Sequence, residues 1–281
     1  MPSETFPTIP EPVTRDAAVS PSIPHPHEER EMTRAKRIWM LALLLTAALV
    51  SCTPQTKQVR DRKGEAYRDL GEAYMHEGNY SAALRELQKA EKALPKDPFV
   101  KNDLGLVYLA KERPDISVSY FQKAIALNSE YAPARNNLGT AYLALKDWDA
   151  AIATFTSLTD DLVYASPHLP LSNLGWAYYN KRDFPMALQY YQAALEVNPR
   201  FVPAHRGMGQ TYLVMNQFPK AIESFEKGIE IAPRFPPLYL DLAQAQEASR
   251  NRPAAVATYQ KVIALFPDTE YAEQARKKLG N

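Results

Sequence analysis

The sequence predicts an all-α chain: a solenoid of six helix-turn-helix repeats with a C-terminal capping helix. Three periodic observations carry this expectation. Small residues recur at a fixed interval: Gly71, Gly105 and Gly139 are 34 apart, Gly175 follows 36 later, and Gly209 and Ala243 return to 34. Each follows an apolar residue (Leu70, Leu104, Leu138, Leu174, Met208, Leu242). Tyrosine stands three residues on in five copies (Tyr74, Tyr108, Tyr142, Tyr178, Tyr212), with Gln246 in the sixth. A second small residue comes 12 after the first (Ala83, Ser117, Ala151, Ala187, Ala221, Ala255), and a large apolar one 4 after that (Leu87, Phe121, Phe155, Tyr191, Phe225, Tyr259).

Each element follows from these residues. Spacing of i, i+3, i+4 puts Leu70, Tyr74 and their equivalents on one face of a first helix. Glycine or alanine at its middle lets a second helix approach closely, and tyrosine one turn later fills the gap. Gly78-Asn79 and Lys181-Arg182-Asp183 fall where the turn between helices belongs. Pro95, Pro199, Pro233 and Pro267 stop the second helices. The repeats are read as 64–97, 98–131, 132–165, 168–201, 202–235 and 236–269, and the capping helix as 270–281. Thr269 is suited to N-cap that last helix, with Tyr271, Ala272, Ala275 and Leu279 inward. Glu270 and Glu273 near its start and Arg276, Lys277 and Lys278 near its end match the helix dipole, and Gly280 ends it.

The repeated pattern resembles the tetratricopeptide repeat, a 34-residue helix pair. One such pair cannot bury its apolar face, whereas six stacked pairs share a continuous core. The resemblance implies a right-handed superhelix whose first helices line a concave, protein-binding surface. On that pattern the inner positions lie two and three residues before the small one, and one and four after it. They are Asn102, Asp103 and Leu106 in copy two, and Asn136, Asn137 and Thr140 in copy three. Copy four supplies Asn173, Trp176 and Tyr179, and copy five Arg206, Gln210 and Leu213. Asparagine amides offer a donor and an acceptor, as an extended peptide backbone requires. Asn137 and Asn173 share one register, which resembles the asparagine ladders of peptide-binding members. Trp176 and Tyr179 lie one helical turn apart and could form an aromatic anchor. The alternatives are solvated surface for the asparagines and inter-repeat packing for Trp176.

The amino-terminal region has a different character. Met1 to Glu31 carries seven prolines and little apolar pattern, so it is read as a disordered extension. An overlong reading frame, with translation starting at Met32, would account for it. Residues 32–51 read as an export signal: Arg34, Lys36 and Arg37, then thirteen uncharged residues from Ile38 to Val50, then Ser51. A spanning helix needs about 20 apolar residues, so this run is short for one. A signal-anchor with an incidental thiol is the alternative. Cys52 is the one cysteine of the chain. Leu49-Val50-Ser51-Cys52 resembles the lipobox of bacterial lipoproteins, which implies lipidation of the Cys52 thiol and cleavage before it. Thr53, rather than Asp, resembles lipoproteins released to the outer membrane. Residues 52–63 then read as the lipidated cysteine and a polar tether.

Copies three and four are linked by two extra residues within Thr159 to His168. The bland reading is a tolerated loop insertion. With the lipobox and six repeats, however, Leu162-Val163-Tyr164-Ala165-Ser166-Pro167 resembles a stretch of the type IV pilus biogenesis lipoproteins. That family's members are outer-membrane pilotins. The resemblance implies a chain on the periplasmic side of the outer membrane that helps the pilus secretin localise and multimerise. The alternative is a general periplasm-facing scaffold for cell-wall or outer-membrane assembly proteins. Either way the expected partner is a protein, the secretin or another pilus assembly protein, and the membrane is met through the lipid.

Other classes have little support in the sequence. The whole chain has 33 basic and 32 acidic residues. Removing residues 1–51 takes away five basic and six acidic ones and leaves 28 against 26. That balance makes no electrostatic case for nucleic acid. His25, His27, His76, His168 and His205 are scattered, without a metal-ligand or catalytic spacing. No catalytic residue, metal or cofactor is expected beyond the covalent lipid on Cys52.

Overall fold

Helices follow one another with short turns in a computed structural model that describes Trp39, residues 56–159 and residues 166–280. The chain divides into two compact units, Met1–Val59 and Arg60–Asn281. In the first, Trp39 and residues 56–59 are helical and exposed. The extension 1–31, the rest of the signal stretch, Cys52, and residues 160–165 of the irregular link lie outside the described residues.

Residues 56–76 are helical, as α1. The polar stretch read as a tether, 52–63, is therefore helical from residue 56. Its rise is about 1.5 Å per residue rather than the 3.3–3.6 Å of an extended chain, which shortens its reach. Helices α2 (Tyr80–Ala93), α3 (Pro98–Ala110), α4 (Pro114–Leu127), α5 (Ala132–Ala144) and α6 (Trp148–Thr159) follow. After the link come α7 (His168–Asn180), α8 (Phe184–Val197), α9 (Val202–Val214), α10 (Phe218–Ile231), α11 (Pro236–Ala248), α12 (Arg252–Leu265) and α13 (Glu270–Leu279). From α2 to α13 each helix packs on the next, giving a solenoid of stacked pairs. No strand occurs among the described residues.

The six turns within pairs share one geometry. The residue seven after each small position has positive φ: Gly78, Glu112, Lys146, Arg182, Asn216 and Arg250, between 58° and 72°. The following N–H then donates to the carbonyl three residues after the small position, as in Asn79 to Tyr74 (2.8 Å) and Asp183 to Tyr178 (3.0 Å). This is the Schellman closure of a helix end. The same following residue starts the second helix. Asn79, Asp183 and Asn251 accept from the backbone N–H three residues on. Among the described residues, proline stands at the first or second position of eight helices, where its missing N–H is not needed.

Close approach explains the recurring small residue. A β-carbon on Gly105 would sit 2.5 Å from Phe121 Cε1, and one on Gly139 equally close to Phe155 Cε1. The apolar residue just before it packs on the preceding pair. Leu104 joins Leu87 and Ala90 of α2, and Leu174 joins Phe155 and Leu158 of α6. Leu70, expected on the buried face, is instead 42% exposed, since among the described residues no helix pair precedes α1 to cover it. The sixth copy's departure is also explained. Where Tyr108 stacks on Tyr120 and Tyr178 on Tyr190 (5.4 and 5.3 Å between centroids), Gln246 Oε1 accepts from Thr258 Oγ1 at 2.8 Å. Hydrogen bonding replaces ring stacking at that one buried contact.

The cap forms as expected. Thr269 Oγ1 accepts from the Ala272 N–H (3.3 Å), Ala272 and Ala275 are buried, and Gly280 ends the helix with φ 81°. On the outer face Lys89 donates to Glu86 and Lys227 to Glu223, each at 2.7 Å. Such exposed pairs contribute little individually.

Candidate functional site

The first helices of repeats four and five, α7 and α9, bring four of the expected residues to one open groove. Asn173 and Trp176 come from α7, and Arg206 and Gln210 from α9. The groove has a volume of about 620 Å³. Val202, Pro203, Ala232 and Phe235 give it apolar walls, and Tyr191 and Gly207 contribute to its lining. Gly207 is required there, because a β-carbon would sit 2.7 Å from Tyr191 Oη. Burial pushes the Tyr191 phenol well above its usual range, so it stays neutral.

Trp176 is 40% exposed, and its ring stacks on Tyr179 at 5.4 Å and 11°. Tyr179 tilts in turn against Phe184 (5.9 Å). The indole is thus held on one face and open on the other, rather than sealed between repeats. The polar side is less free than the sequence suggests. Arg206 Nε donates to Asp241 Oδ2 at 2.6 Å, and Gln210 Nε2 donates to the same oxygen at 3.3 Å. Burial pushes the Asp241 carboxyl up, while the Arg206 guanidinium and Gln210 amide oppose it. Asp241 sits two residues before Ala243, in the register of Asn137 and Asn173. The same inner-position rule, applied to copy six, would have found it.

The asparagines of copies two and three do not present themselves as expected. Asn102 is 4% exposed, and its Oδ1 accepts from Asn137 Nδ2 at 2.9 Å. Its own amide donates to Asp103 Oδ1 at 3.3 Å. This bond ties α3 to α5, so part of the capacity of these amides is used between repeats rather than held for a peptide backbone. Asn136, Leu106, Thr140 and Leu213 are half-buried. Thr140 Oγ1 donates back to the Asn136 carbonyl (3.1 Å). His205 is buried and donates through Nε2 to the Pro199 carbonyl (2.9 Å). Tyr239, 34 residues on, makes the equivalent bond to Pro233. His205 is therefore a brace between repeats.

Chemically the site offers an aromatic plate, apolar walls and a few fixed polar groups, which suits recognition of a protein segment. Among the described residues no group of His, Cys, Asp and Glu is arranged to hold a metal ion. No described helix is long and apolar enough to cross a membrane. Cys52 lies outside the described residues.

Comparison with known proteins agrees with this architecture. Tetratricopeptide repeat models match residues 57–98 and 102–163, 170–201, and 216–279. The type IV pilus assembly protein PilF of Pseudomonas aeruginosa is 26% identical over 168 residues, which is 59% of this chain and 67% of that protein. Among solved structures, PilW, a widely conserved type IV pilus biogenesis factor, superposes with a TM-score of 0.69 at 22% identity, covering 75% of this chain and 97% of PilW. The P. aeruginosa PilF structure superposes with a TM-score of 0.63 at 20% identity, covering 78% of this chain and 99% of PilF. Periodicity, turn geometry, helix packing and these matches agree: the chain belongs to the tetratricopeptide repeat family.

Proposed function

We propose that this chain is a lipid-anchored protein-interaction scaffold that assists type IV pilus biogenesis by helping the secretin localise and multimerise at the outer membrane. The sequence relationship to P. aeruginosa PilF, spanning 67% of that protein, carries this reading. The shared solenoid of PilW and PilF is consistent with it. Lipidation of Cys52 rests on the Leu49-Val50-Ser51-Cys52 motif and the short apolar run before it. Two or more acyl chains would hold the protein on the periplasmic side of the outer membrane, since each buried methylene contributes about 0.8 kcal/mol. The partner would lie along the groove around Trp176 and Arg206.

Deletion of the gene is expected to reduce heat-resistant secretin multimers on gels and to abolish surface pili. The wild-type gene should restore both, and a Cys52→Ser gene should restore them poorly. Unchanged multimers and unchanged pili in the deletion strain would eliminate the reading.

A further inference from the structure

A second pocket, of about 550 Å³, opens on the inner side of the first two repeats, between α1 and α3. Met75, Leu106, Leu109 and Ala110 form apolar walls, and Glu72 and Asp103 contribute carboxylates. Asp103 is 8% exposed, and its Oδ2 is buried with no donor beside it. Its Oδ1 accepts only the long Asn102 bond (3.3 Å). A buried carboxylate oxygen with no donor beside it is costly when ionised, and Asp103 lines an open pocket.

The neighbourhood is short of positive charge. Arg68 contacts Glu72 (3.2 Å), Asp69 (3.2 Å) and Asp97 (3.9 Å). With Asp103 close by, one guanidinium serves four carboxylates. Burial first, then the Glu72 charge and a hydrogen bond shared with the Glu72 carboxyl, push the Asp103 carboxyl up to about 7, with Asn102 and Arg68 opposing. His76 also lines the pocket, and the Tyr131 phenol is raised by burial and by the Asp103 and Glu72 charges.

We propose that this pocket takes a lysine or arginine side chain from an extended segment of a partner protein. The alkyl stem would lie along Met75, Leu106, Leu109 and Ala110, and the cationic head would meet Asp103 Oδ2 and Glu72. An apolar occupant leaves the buried oxygen unsatisfied. A cation supplies both the donor and the missing charge, and charge-assisted bonds are the stronger kind. The proposal rests on the concave face docking a protein, but it names no pilus component and can fail separately from that reading. Cation binding favours both carboxylates ionised, so it releases the proton Asp103 holds at neutral pH. Affinity therefore rises with pH.

The test uses the ¹⁵N-labelled full chain and two blocked pentapeptides, Ala-Ala-Lys-Ala-Ala and its norleucine counterpart, which keeps the stem and removes the charge. The lysine peptide is expected to shift amides of residues 72–76 and 103–110 and to bind at least tenfold more tightly than the norleucine peptide. A Glu72→Gln/Asp103→Asn chain, nearly isosteric, should lose that preference. Affinity should rise about tenfold from pH 6 to pH 8, as one carboxyl titrating near 7 requires. The rise should persist in a His76→Gln chain. Equal binding of the two peptides, a preference surviving the double substitution, or a pH dependence lost with His76 would each overturn the proposal. Secretin multimers that depend on the gene, beside a failed lysine titration, would refute this site alone.

Discussion

Leu70 and Leu104 hold the same place in successive repeats, and their different surroundings allow a sharp comparison. Leu104 is fully buried against Leu87, Ala90, Val100 and Val107, whereas Leu70 is 42% exposed. Leucine to alanine removes three carbons beyond Cβ. At about 0.8 kcal/mol each, full burial makes the transfer loss roughly 2.4 kcal/mol. The cavity left in a tightly packed site raises Leu104→Ala to about 3–4 kcal/mol. Leu70→Ala removes partly wet surface and leaves no closed cavity, so its cost is about 1 kcal/mol. Urea titrations followed by circular dichroism measure the losses, and hydrogen exchange assigns them to α1–α4. Repeat arrays can unfold in parts, so the local measurement decides. Equal costs at the two positions would refute the argument that this residue is stabilised by the preceding pair.

Three further outcomes follow from the geometry. Asp103 has a carboxyl pushed up to about 7 by burial and Glu72, so the folded chain holds its proton more tightly than the unfolded one. That contribution to stability is present at acid pH and is lost as pH rises from about 4 through 7. Asp103→Asn should therefore stabilise the chain above pH 7, on the order of 1–3 kcal/mol, and do little at pH 4, as thermal melts at both values would show. Lys146 sits at φ 60° in an exposed turn, so Lys146→Gly should be neutral or stabilising, while Lys146→Val should cost about 1–2 kcal/mol in urea titrations. Gly105→Ala places a β-carbon 2.5 Å from Phe121 Cε1. The overpacking cost of about 1–3 kcal/mol should outweigh the roughly 1 kcal/mol gain in helix propensity, lowering the melting temperature.

Much of the architecture was legible because a helix pair writes its packing into local spacing. Gly139 and Phe155 lie 16 apart because one fills the space the other leaves, and that relation needs no knowledge of distant residues. Thr269, Glu270 and Gly280 announced the cap for the same reason: capping is a contact over three or four residues. The groove around Trp176 was legible in part, since repeat register assigns residues to the inner face. Their partners were not. Asn102 and Asn137, 35 apart, read as free amides and turn out to bond each other. Arg206 and Asp241, also 35 apart, form a short ion pair that narrows what the groove can offer.

Chain order alone determined the number of repeats, their small and large packing positions, the turns and the capped end. These depend on neighbours within one or two helical turns, or on a single recurring helix-helix contact. The folded arrangement decided which inner polar groups are spent and which remain available. It tied the asparagines of α3 and α5 together and left Asp103 Oδ2 without a donor beside the pocket between α1 and α3. It also exposed Leu70, because burial at that position comes from a neighbouring pair. Hydrogen-bond satisfaction and burial are properties of the stack, set by side chains one repeat apart, so a repeating motif read along the chain does not contain them.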